Sequence, residues 1–323
     1  MTTYRSSGVD LDAADRSVAR IAKEVTATWS DDVVGGFGGF AAGLRLPEGY
    51  ERPVMMMSTD GVGTKAEVAR DAGQVDGLGF DLVAMCVDDL AAAGARPVAL
   101  TDYIAVGELD EDLVTALVSS VARACGSAGV ALLGGETAEH PGVMAPGTFD
   151  LSASALGLVE DGAQVTGELV EEGDVVIGLA SPNVRSNGFS LIRALPERPD
   201  AETLLEPSVI YAPIVTRLLD AIPVHGMAHI TGGGIPGNLV RPLPEGTRAI
   251  IETGAWTTPS VFDEIAAAGE VARDEMFRVF NMGIGFAVIV AADDLSTALA
   301  ALADHEALPI GTIVSGDRGV DLI

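Results

Sequence analysis

The chain has 323 residues, and its 47 acidic side chains against 19 Lys and Arg give a formal net charge of −28 at pH 7. Nucleic acids and anionic membranes both select basic surfaces, so this balance excludes them as expected partners. The length suggests two domains of about 150 residues each, and the 48% hydrophobic content is enough to fill a sizeable core.

Two cysteines, Cys86 and Cys125, lie in apolar stretches and predict buried thiols of a reducing compartment. The N-terminus shows neither a basic segment nor an apolar segment of a signal peptide. No apolar run reaches the roughly 20 residues that a membrane helix needs. We therefore expect a soluble cytoplasmic protein.

Short apolar strands alternate with helices, which predicts a mixed α/β (α+β) fold in two halves. Asp110 is predicted to cap a helix that Gly126 and Gly129 end, and Thr258 to cap another with Pro259 at its first position. The other predicted helices cover residues 81–93, 188–195, 212–222 and 294–303. The predicted strands cover residues 54–58, 98–105, 130–133, 151–159, 174–180, 226–231, 247–253, 284–291 and, as the last, 310–315.

A segment rich in charge and glycine, residues 161–173, indicates the boundary between the two halves. We place the domains at residues 1–165 and 166–323. Four glycine clusters follow or border strands, and each is compatible either with a tight turn or with a loop whose backbone amides approach a phosphate. The clusters are residues 35–39, 61–63, 134–135 and 232–234.

The second cluster carries the strongest chemical signal. After a predicted strand it places an acid, Asp60, a flexible backbone, Gly61 to Gly63, a hydroxyl, Thr64, and Lys65, one of only two lysines in the chain. In so acidic a protein this lysine predicts an anion, although a surface lysine without a role is the alternative. The order Gly-Thr-Lys differs from the Gly-Lys-Ser/Thr of a Walker A loop.

Three carboxylates suggest a cation. Asp89 falls seven residues after Leu82, on the apolar stripe of a predicted helix, where an unpaired charge is costly. Glu136 follows Gly135 at the end of a predicted strand. If Asp60, Asp89 and Glu136 converge, their oxygens suit Mg²⁺ bridging to phosphates; the alternative for Asp89 is an exposed acid at the helix end. The four histidines show no metal spacing, so zinc is not indicated.

Several strings together resemble the phosphoribosylformylglycinamidine cyclo-ligases, the aminoimidazole ribonucleotide (AIR) synthetases of purine biosynthesis. The resemblance runs from about Tyr4 to the C-terminus. Its strings are residues 60–65, 79–90, 102–103, 134–139, 141–142, 186–191, 229–234 and 280–285.

The resemblance implies a PurM-like architecture and a reaction. The N-terminal half would carry a mixed sheet that dimerises into a shared β-barrel, and the C-terminal half would be a second α/β domain. The family closes the imidazole ring of formylglycinamidine ribonucleotide with ATP and Mg²⁺, giving AIR, ADP and phosphate through an iminophosphate. The implied partners are these small molecules and a second copy of the chain.

The resemblance also implies roles for individual residues. Catalytic roles fall to Asp89, Lys65 and Arg185. ATP binding falls to Arg5, Asp60, Gly61, Gly63, Thr64, Lys65 and Glu136, with Asp60, Asp89 and Glu136 as metal ligands. Substrate binding falls to Asn187, Gly188, Thr231, Gly232 and Gly233.

The chain departs from the family pattern at three of these places. Arg5 replaces a usual Lys, Arg185 a usual His, and Asp88 a usual Asn. An acid–base role cannot pass to Arg185, because a guanidinium stays protonated, whereas a phosphate-binding role can. Two alternatives therefore stay open: another ATP-using enzyme of the superfamily, such as a thiamine-phosphate kinase or selenophosphate synthetase, and a non-catalytic binding protein of this fold.

Overall fold

A computed structural model describes residues 11–323, with the side chains of residues 11–15 left aside. The chain forms two compact units. The first takes in the chain up to Leu90 together with Pro97–Glu160, and the second takes in Ala91–Arg96 and Asp161–Ile323. Arg5 lies outside the described residues, so its predicted contact with ATP stays a prediction.

The first unit is built on one four-stranded sheet. Its strand order is β3-β6-β4-β5, with β3 antiparallel to β6 and β4 parallel to β5. The strands are β1 (Val33–Val34), β2 (Gly43–Leu44), β3 (Pro53–Gly61), β4 (Arg96–Val106), β5 (Ala131–Glu139) and β6 (Phe149–Glu160), and β1 and β2 form a separate hairpin. The helices are α1 (Leu11–Thr26), α2 (Lys65–Ala72), α3 (Leu78–Ala92) and α4 (Glu111–Ala128).

One face of this sheet is buried and the other is open. Ala153 and Ala155 of β6 and Ile104 of β4 are at most 3% exposed. On the other face Met55 and Met57 of β3 are 67% and 73% exposed, and Tyr103 of β4 is 41% exposed. Because successive side chains of a strand point to opposite faces, register assigns each site residue of the sheet to one of these two surfaces.

The second unit is built on a six-stranded sheet of order β12-β9-β11-β7-β10-β8, in which only the β12–β9 pair is parallel among the described pairings. Its strands are β7 (Val175–Ala180), β8 (Gly226–His229), β9 (Thr247–Ile251), β10 (Ile284–Val290), β11 (Ala307–Ser315) and β12 (Gly319–Leu322). Its helices are α5 (Phe189–Ala194), α6 (Ala201–Leu204), α7 (Ala212–Ala221), α8 (Gly234–Leu239), α9 (Ser260–Gly269), α10 (Arg273–Val279) and α11 (Leu295–Ala301), with a 3-10 turn at Ala292–Asp294.

The mixed α/β fold in two halves is confirmed, and so is the Asp110 cap of α4, whereas Gly126 lies inside that helix and does not end it. The Asp110 carboxylate accepts hydrogen bonds from the amides of Asp112 and Leu113, and Gly129 ends the helix in the left-handed conformation. The predicted Thr258 cap is wrong, because α9 begins at Ser260 with Pro259 in the cap position and without a side-chain cap bond. Strand β11 is not the last, since β12 follows it.

The two units meet in the chain between Glu160 and Asp161, close to the predicted boundary segment. The short segment Ala91–Arg96 belongs to the second unit although it lies between α3 and β4. Among residues 11–323, no helix combines the length and the hydropathy that a membrane crossing requires.

Candidate active site

The loop after β3 lies where the sequence places an anion. The Asp60 carboxylate accepts a hydrogen bond of 2.7 Å from the Gly61 amide, and Val62 N donates to Leu151 O of the neighbouring strand. Gly63 has a φ of +64°, which glycine adopts without strain, and Thr64 occupies the cap position of α2. Residues 60–64 link a strand end to a helix start, and we call them the nucleotide loop after the ligand that the sequence predicts for them.

Lys65 is fully buried, contrary to the expectation of a loop lysine that meets a ligand. Its Nζ lies 2.8 Å from Oδ2 and 2.9 Å from Oδ1 of Asp81, whose side chain has no exposed surface either. A buried ammonium needs such a partner, because taking an ion out of water without one costs several kcal/mol. In this geometry the ammonium belongs to the interior of the first unit.

Asp89 and Asp88 have exchanged the environments that the helical stripe predicts. Asp89 is exposed, and its Oδ2 accepts a hydrogen bond of 3.4 Å from Ser58 of β3, whereas Asp88 is fully buried. The prediction that Asp89 lies on a buried stripe is wrong, because α3 is buried on nearly all sides and 3.6-residue periodicity then carries no information. Its exposure leaves Asp89 open to a ligand.

Asp60 and Asp89 both lie near the Cys86 thiol, which donates to Ala153 O at 3.5 Å. Burial, with smaller contributions from the negative charges of Asp60, Asp89 and Asp88, raises the pKa of Cys86 to about 12. The thiol is therefore neutral and unreactive at physiological pH. Ser58, which bonds Asp89, lies two residues before Asp60 on the same face of β3, so the two predicted metal ligands of this region lie on one side of the strand.

Glu136 does not lie beside Asp60 and Asp89 in a single chain. Register pairs Glu136 with Tyr103 on the open face, whereas Asp60 pairs with Ala153 on the buried face. The strand order also separates β5 from β3 by three strand spacings, roughly 14 Å. Across residues 11–323 no group of three His, Cys, Asp or Glu side chains is arranged to hold a metal ion.

Glu136 also lies inside a strand, not at its end as predicted. The pairs Asp102–Gly135 and Tyr103–Glu136 continue the parallel ladder of β4 and β5 through both glycines. A Cβ on Gly135 would overlap the Asp102 carboxylate. The glycine at this position is thus explained by packing against Asp102.

Asp102 is a buried carboxyl group that keeps its proton up to about neutral pH. Its Oδ2 is buried and has no hydrogen-bond partner among the described residues. Burial raises the pKa of Asp102 to about 7, which a hydrogen bond from its own backbone amide only partly offsets. A protonated carboxyl group next to the Gly135–Glu136 step can donate a hydrogen bond near neutral pH.

In the second unit, two predicted substrate loops meet. The Asn187 side-chain oxygen accepts a 3.0 Å hydrogen bond from the Gly232 amide, which joins residues 185–188 to residues 231–234. Asn238, buried in α8, donates to the carbonyls of Thr231, Gly232 and Gly234 at 2.8–3.3 Å. We name these two segments the cleft loops.

Glycines allow the cleft loops to pack closely. Gly188 has a φ of +78° at the start of α5, and a Cβ there would overlap the Phe280 ring. Gly233 has a φ of +102° and occupies the cap position of α8. Both positions require glycine for packing or conformation, independently of any ligand.

Arg185 is the first residue of the cleft loops, and its side chain is fully buried. Its guanidinium donates to Val209 O and to His229 Nε2, each at 2.9 Å, and stacks over the Tyr211 ring at 4.8 Å. Because a guanidinium only donates, His229 Nε2 is the acceptor and carries no proton. The backbone of Arg185 is left-handed, with a φ of +57°. As placed, the side chain shows no surface to a phosphate, and its catalytic role stays a prediction.

Three residues that support the site escaped sequence analysis. Asp81 pairs with Lys65, Asp102 packs against Gly135, and Asn238 holds a cleft loop. Asp102 belongs to one of the quoted strings, but nothing in one sequence indicates that its carboxylate is enclosed. An isolated polar residue inside an apolar helix or strand is the sequence signal for such a contact, because a buried polar group needs a hydrogen-bond partner.

Comparison with known proteins identifies relatives over nearly the whole chain. Family models described as AIR synthase related protein, N-terminal and C-terminal domains, match residues 40–159 and 171–322. A phosphoribosylformylglycinamidine cyclo-ligase of Myxococcus xanthus is 46% identical and covers 98% of this chain and 96% of its own. One of Parasynechococcus marenigrum is 43% identical, with 97% and 96% covered.

Solved structures share the fold at lower identity. A thiamine-monophosphate kinase of Stenotrophomonas maltophilia is 22% identical with a TM-score of 0.66, covering 97% of this chain and 96% of its own. The hydrogenase maturation protein HypE, in a structure with ATP, is 18% identical with a TM-score of 0.69, covering 98% and 92%. These likenesses bear out the fold only.

The raised pKa of Asp102 predicts a pH-dependent stability. The folded protein keeps a proton that the unfolded chain releases above pH 4, so the free energy of unfolding falls as pH rises from about 4 to 7. Asp102→Asn removes this loss. The free energy of unfolding of the variant minus that of the parent should therefore rise by about 1–3 kcal/mol between pH 5.5 and pH 8.5. Chemical denaturation at both pH values measures it. An exposed control, Asp31→Asn, should gain nothing, and an equal difference for Asp102→Asn at both pH values would contradict the assignment.

Proposed function

Because the chain belongs to the phosphoribosylformylglycinamidine cyclo-ligase family, we propose that it closes the imidazole ring of formylglycinamidine ribonucleotide to give AIR. ATP is consumed, and ADP and phosphate are released. The observation that carries this function is the 46% identity over 98% of the chain to a protein of that name. The enzyme is a ligase of de novo purine biosynthesis.

The reaction proceeds in two steps. The formyl amide oxygen attacks the γ-phosphorus of ATP, and ADP leaves. The amide oxygen, which is a poor leaving group, is thereby converted into the phosphate leaving group of an iminophosphate. A nitrogen of the same molecule then attacks the activated carbon, the ring closes, and phosphate departs. Phosphoryl transfer depends mainly on alignment and charge neutralisation, so it suits a site of glycine loops and few acids.

We propose that the nucleotide loop binds the ATP phosphates together with Mg²⁺. Mg²⁺ commonly takes one or two carboxylates and completes its shell with phosphate oxygens and water. Asp60 and the exposed Asp89, both close to Cys86, fit this requirement without a third acid. The metal would neutralise charge on the transferring phosphoryl group, whereas Glu136 is not needed as a ligand.

For the second unit we propose that the cleft loops bind the ribonucleotide. Asn187 and Gly232 are already joined by a hydrogen bond, and Thr231 is partly exposed beside them. Backbone amides of such glycine-bearing loops are suited to a phosphate group. The thiamine-monophosphate kinase alternative shares the fold, but the strings at residues 134–139 and 186–191 favour the cyclo-ligase.

We also propose a homodimer formed through the open face of the first sheet. Two four-stranded sheets that pair face to face and edge to edge would give an eight-stranded barrel, whose interior side chains can fill. The exposed Met55, Met57 and Tyr103 supply apolar surface that a single chain leaves in water. Two buried free cysteines suit a reducing compartment such as the cytoplasm.

The proposed reaction predicts a strict dependence on the substrate. The purified enzyme with ATP, Mg²⁺ and formylglycinamidine ribonucleotide should release one ADP per imidazole formed, measured by a coupled ADP assay and by the aminoimidazole product. ADP release should depend on the ribonucleotide. Release that is indifferent to it, or driven equally by thiamine monophosphate, would contradict the function.

Asp89→Asn should lower kcat by about a hundredfold or more, because it removes a charge that faces the metal and the phosphates. Asp112→Asn, an exposed acid on α4, is the matched control and should keep the parental rate. Circular dichroism should show both variants folded. Turnover of Asp89→Asn near the parental level would remove Asp89 from the site.

Met57→Glu should convert the dimer to a monomer, because it places a charge at the centre of the proposed apolar interface. Sedimentation velocity measures the change. Val143→Glu is the control, since Val143 is 81% exposed and lies outside the sheet. A Met57→Glu dimer as tight as the parent would exclude this face as the interface.

A further inference from the structure

The buried pair of Lys65 and Asp81 lies directly beneath the nucleotide loop. Lys65 is the first residue of α2 and follows Thr64 of the loop, and Asp81 lies in the first turn of α3. The ammonium lies within 2.9 Å of both carboxylate oxygens. The pair therefore ties the beginning of one helix to the beginning of the next.

A direct contact between Lys65 and a phosphate would break this tie. The ammonium would have to leave an enclosed site for an exposed loop, and the Asp81 carboxylate would keep its charge in the interior. Removing one partner of a buried ion pair is strongly unfavourable, because the charge that remains has lost both water and counter-ion. The geometry therefore favours an ammonium that stays in place when a nucleotide binds.

At its helix end the loop runs directly into the anchored Lys65. Thr64 makes no side-chain cap bond to α2, while at the strand end Gly61 N and Val62 N are held by Asp60 and Leu151. The strand end is thus fixed by hydrogen bonds to β3 and β6. At the helix end, the anchored Lys65 fixes the position of the residue that follows the loop, and Ala66 N donates to Gly63 O.

We propose that Lys65 and Asp81 are positioning residues that hold the nucleotide loop from beneath, and that the ammonium does not contact the ATP phosphates. This inference rests on the proposed function, because it takes the loop as the ATP site. It assigns Asp81 a role in nucleotide binding that it exerts through Lys65, and it takes Lys65 out of direct contact with the nucleotide.

A double-mutant cycle tests the proposal. The variants are Lys65→Met, Asp81→Leu and the double variant, with KM for ATP, kcat and thermal stability measured for each. Either single variant should raise KM for ATP about tenfold or more, because it leaves a buried charge and displaces the loop. The double variant should recover most of both stability and KM, since an apolar pair of similar volume can replace a buried ion pair.

The proposal would be overturned if the double variant recovered its stability but not its KM for ATP. If Lys65 binds a phosphate, the double variant regains stability but keeps the high KM of Lys65→Met. Ile265→Ala, a change at a fully buried residue of α9 in the second unit, is the control for general destabilisation. It should lower stability while leaving KM for ATP at the parental value.

Asp81→Asn keeps the proposal falsifiable if the double variant fails to fold. The side chain keeps its shape and loses its charge, which weakens the anchor and should raise KM for ATP. A phosphate-binding ammonium would instead be released towards the nucleotide, and KM would fall or stay unchanged.

Calorimetric titration with MgATP alone separates this inference from the proposed function. If the enzyme fails to form AIR but binds MgATP, weaker binding by both Lys65→Met and Asp81→Asn supports the pair. Weaker binding by Lys65→Met alone overturns it.

Discussion

The site of the first unit depends on one enclosed ion pair. Lys65 and Asp81 have lost contact with water, and each neutralises the charge of the other in the interior. Such a pair adds little net stability compared with apolar packing, but its directional bonds fix the relative position of two helix starts. One of those helices follows the nucleotide loop, so a constraint in the core determines the geometry at the surface.

The second unit uses a buried cation in a comparable way. The buried side chain of Arg185, at the start of one cleft loop, contacts Val209, His229 and Tyr211, and the Arg185 backbone is left-handed. The chain has few basic residues and places two of them inside, next to loops that bind ligands in our account. The net charge of −28 therefore describes a largely acidic surface, while these two cations support the site from within.

The sequence was sufficient for the fold class, for most strands and helices, and for the family. Periodicity and capping located α4 because Asp110 and Gly129 act through local backbone geometry. It was insufficient where tertiary packing decides. A stripe on α3 could not distinguish the buried Asp88 from the exposed Asp89, since the helix is enclosed on nearly all sides.

Convergence of side chains was the other limit. Asp60 and Glu136 follow similar glycine-bearing strands, yet strand order and register place them on opposite faces of one sheet. Likewise Lys65 belongs to a loop string in the sequence but points into the core in the structure. The sequence predicted which loops are candidate binding loops. The directions in which their side chains point could be read only from the folded structure.

A crystal structure with Mg²⁺ and a non-hydrolysable ATP analogue tests this account most directly. Our account predicts that the phosphates lie against the backbone of residues 60–64 while Lys65 Nζ stays in its ion pair with Asp81, 2.8 Å from Oδ2. An ammonium that has left Asp81 and bonds a phosphate oxygen would contradict it.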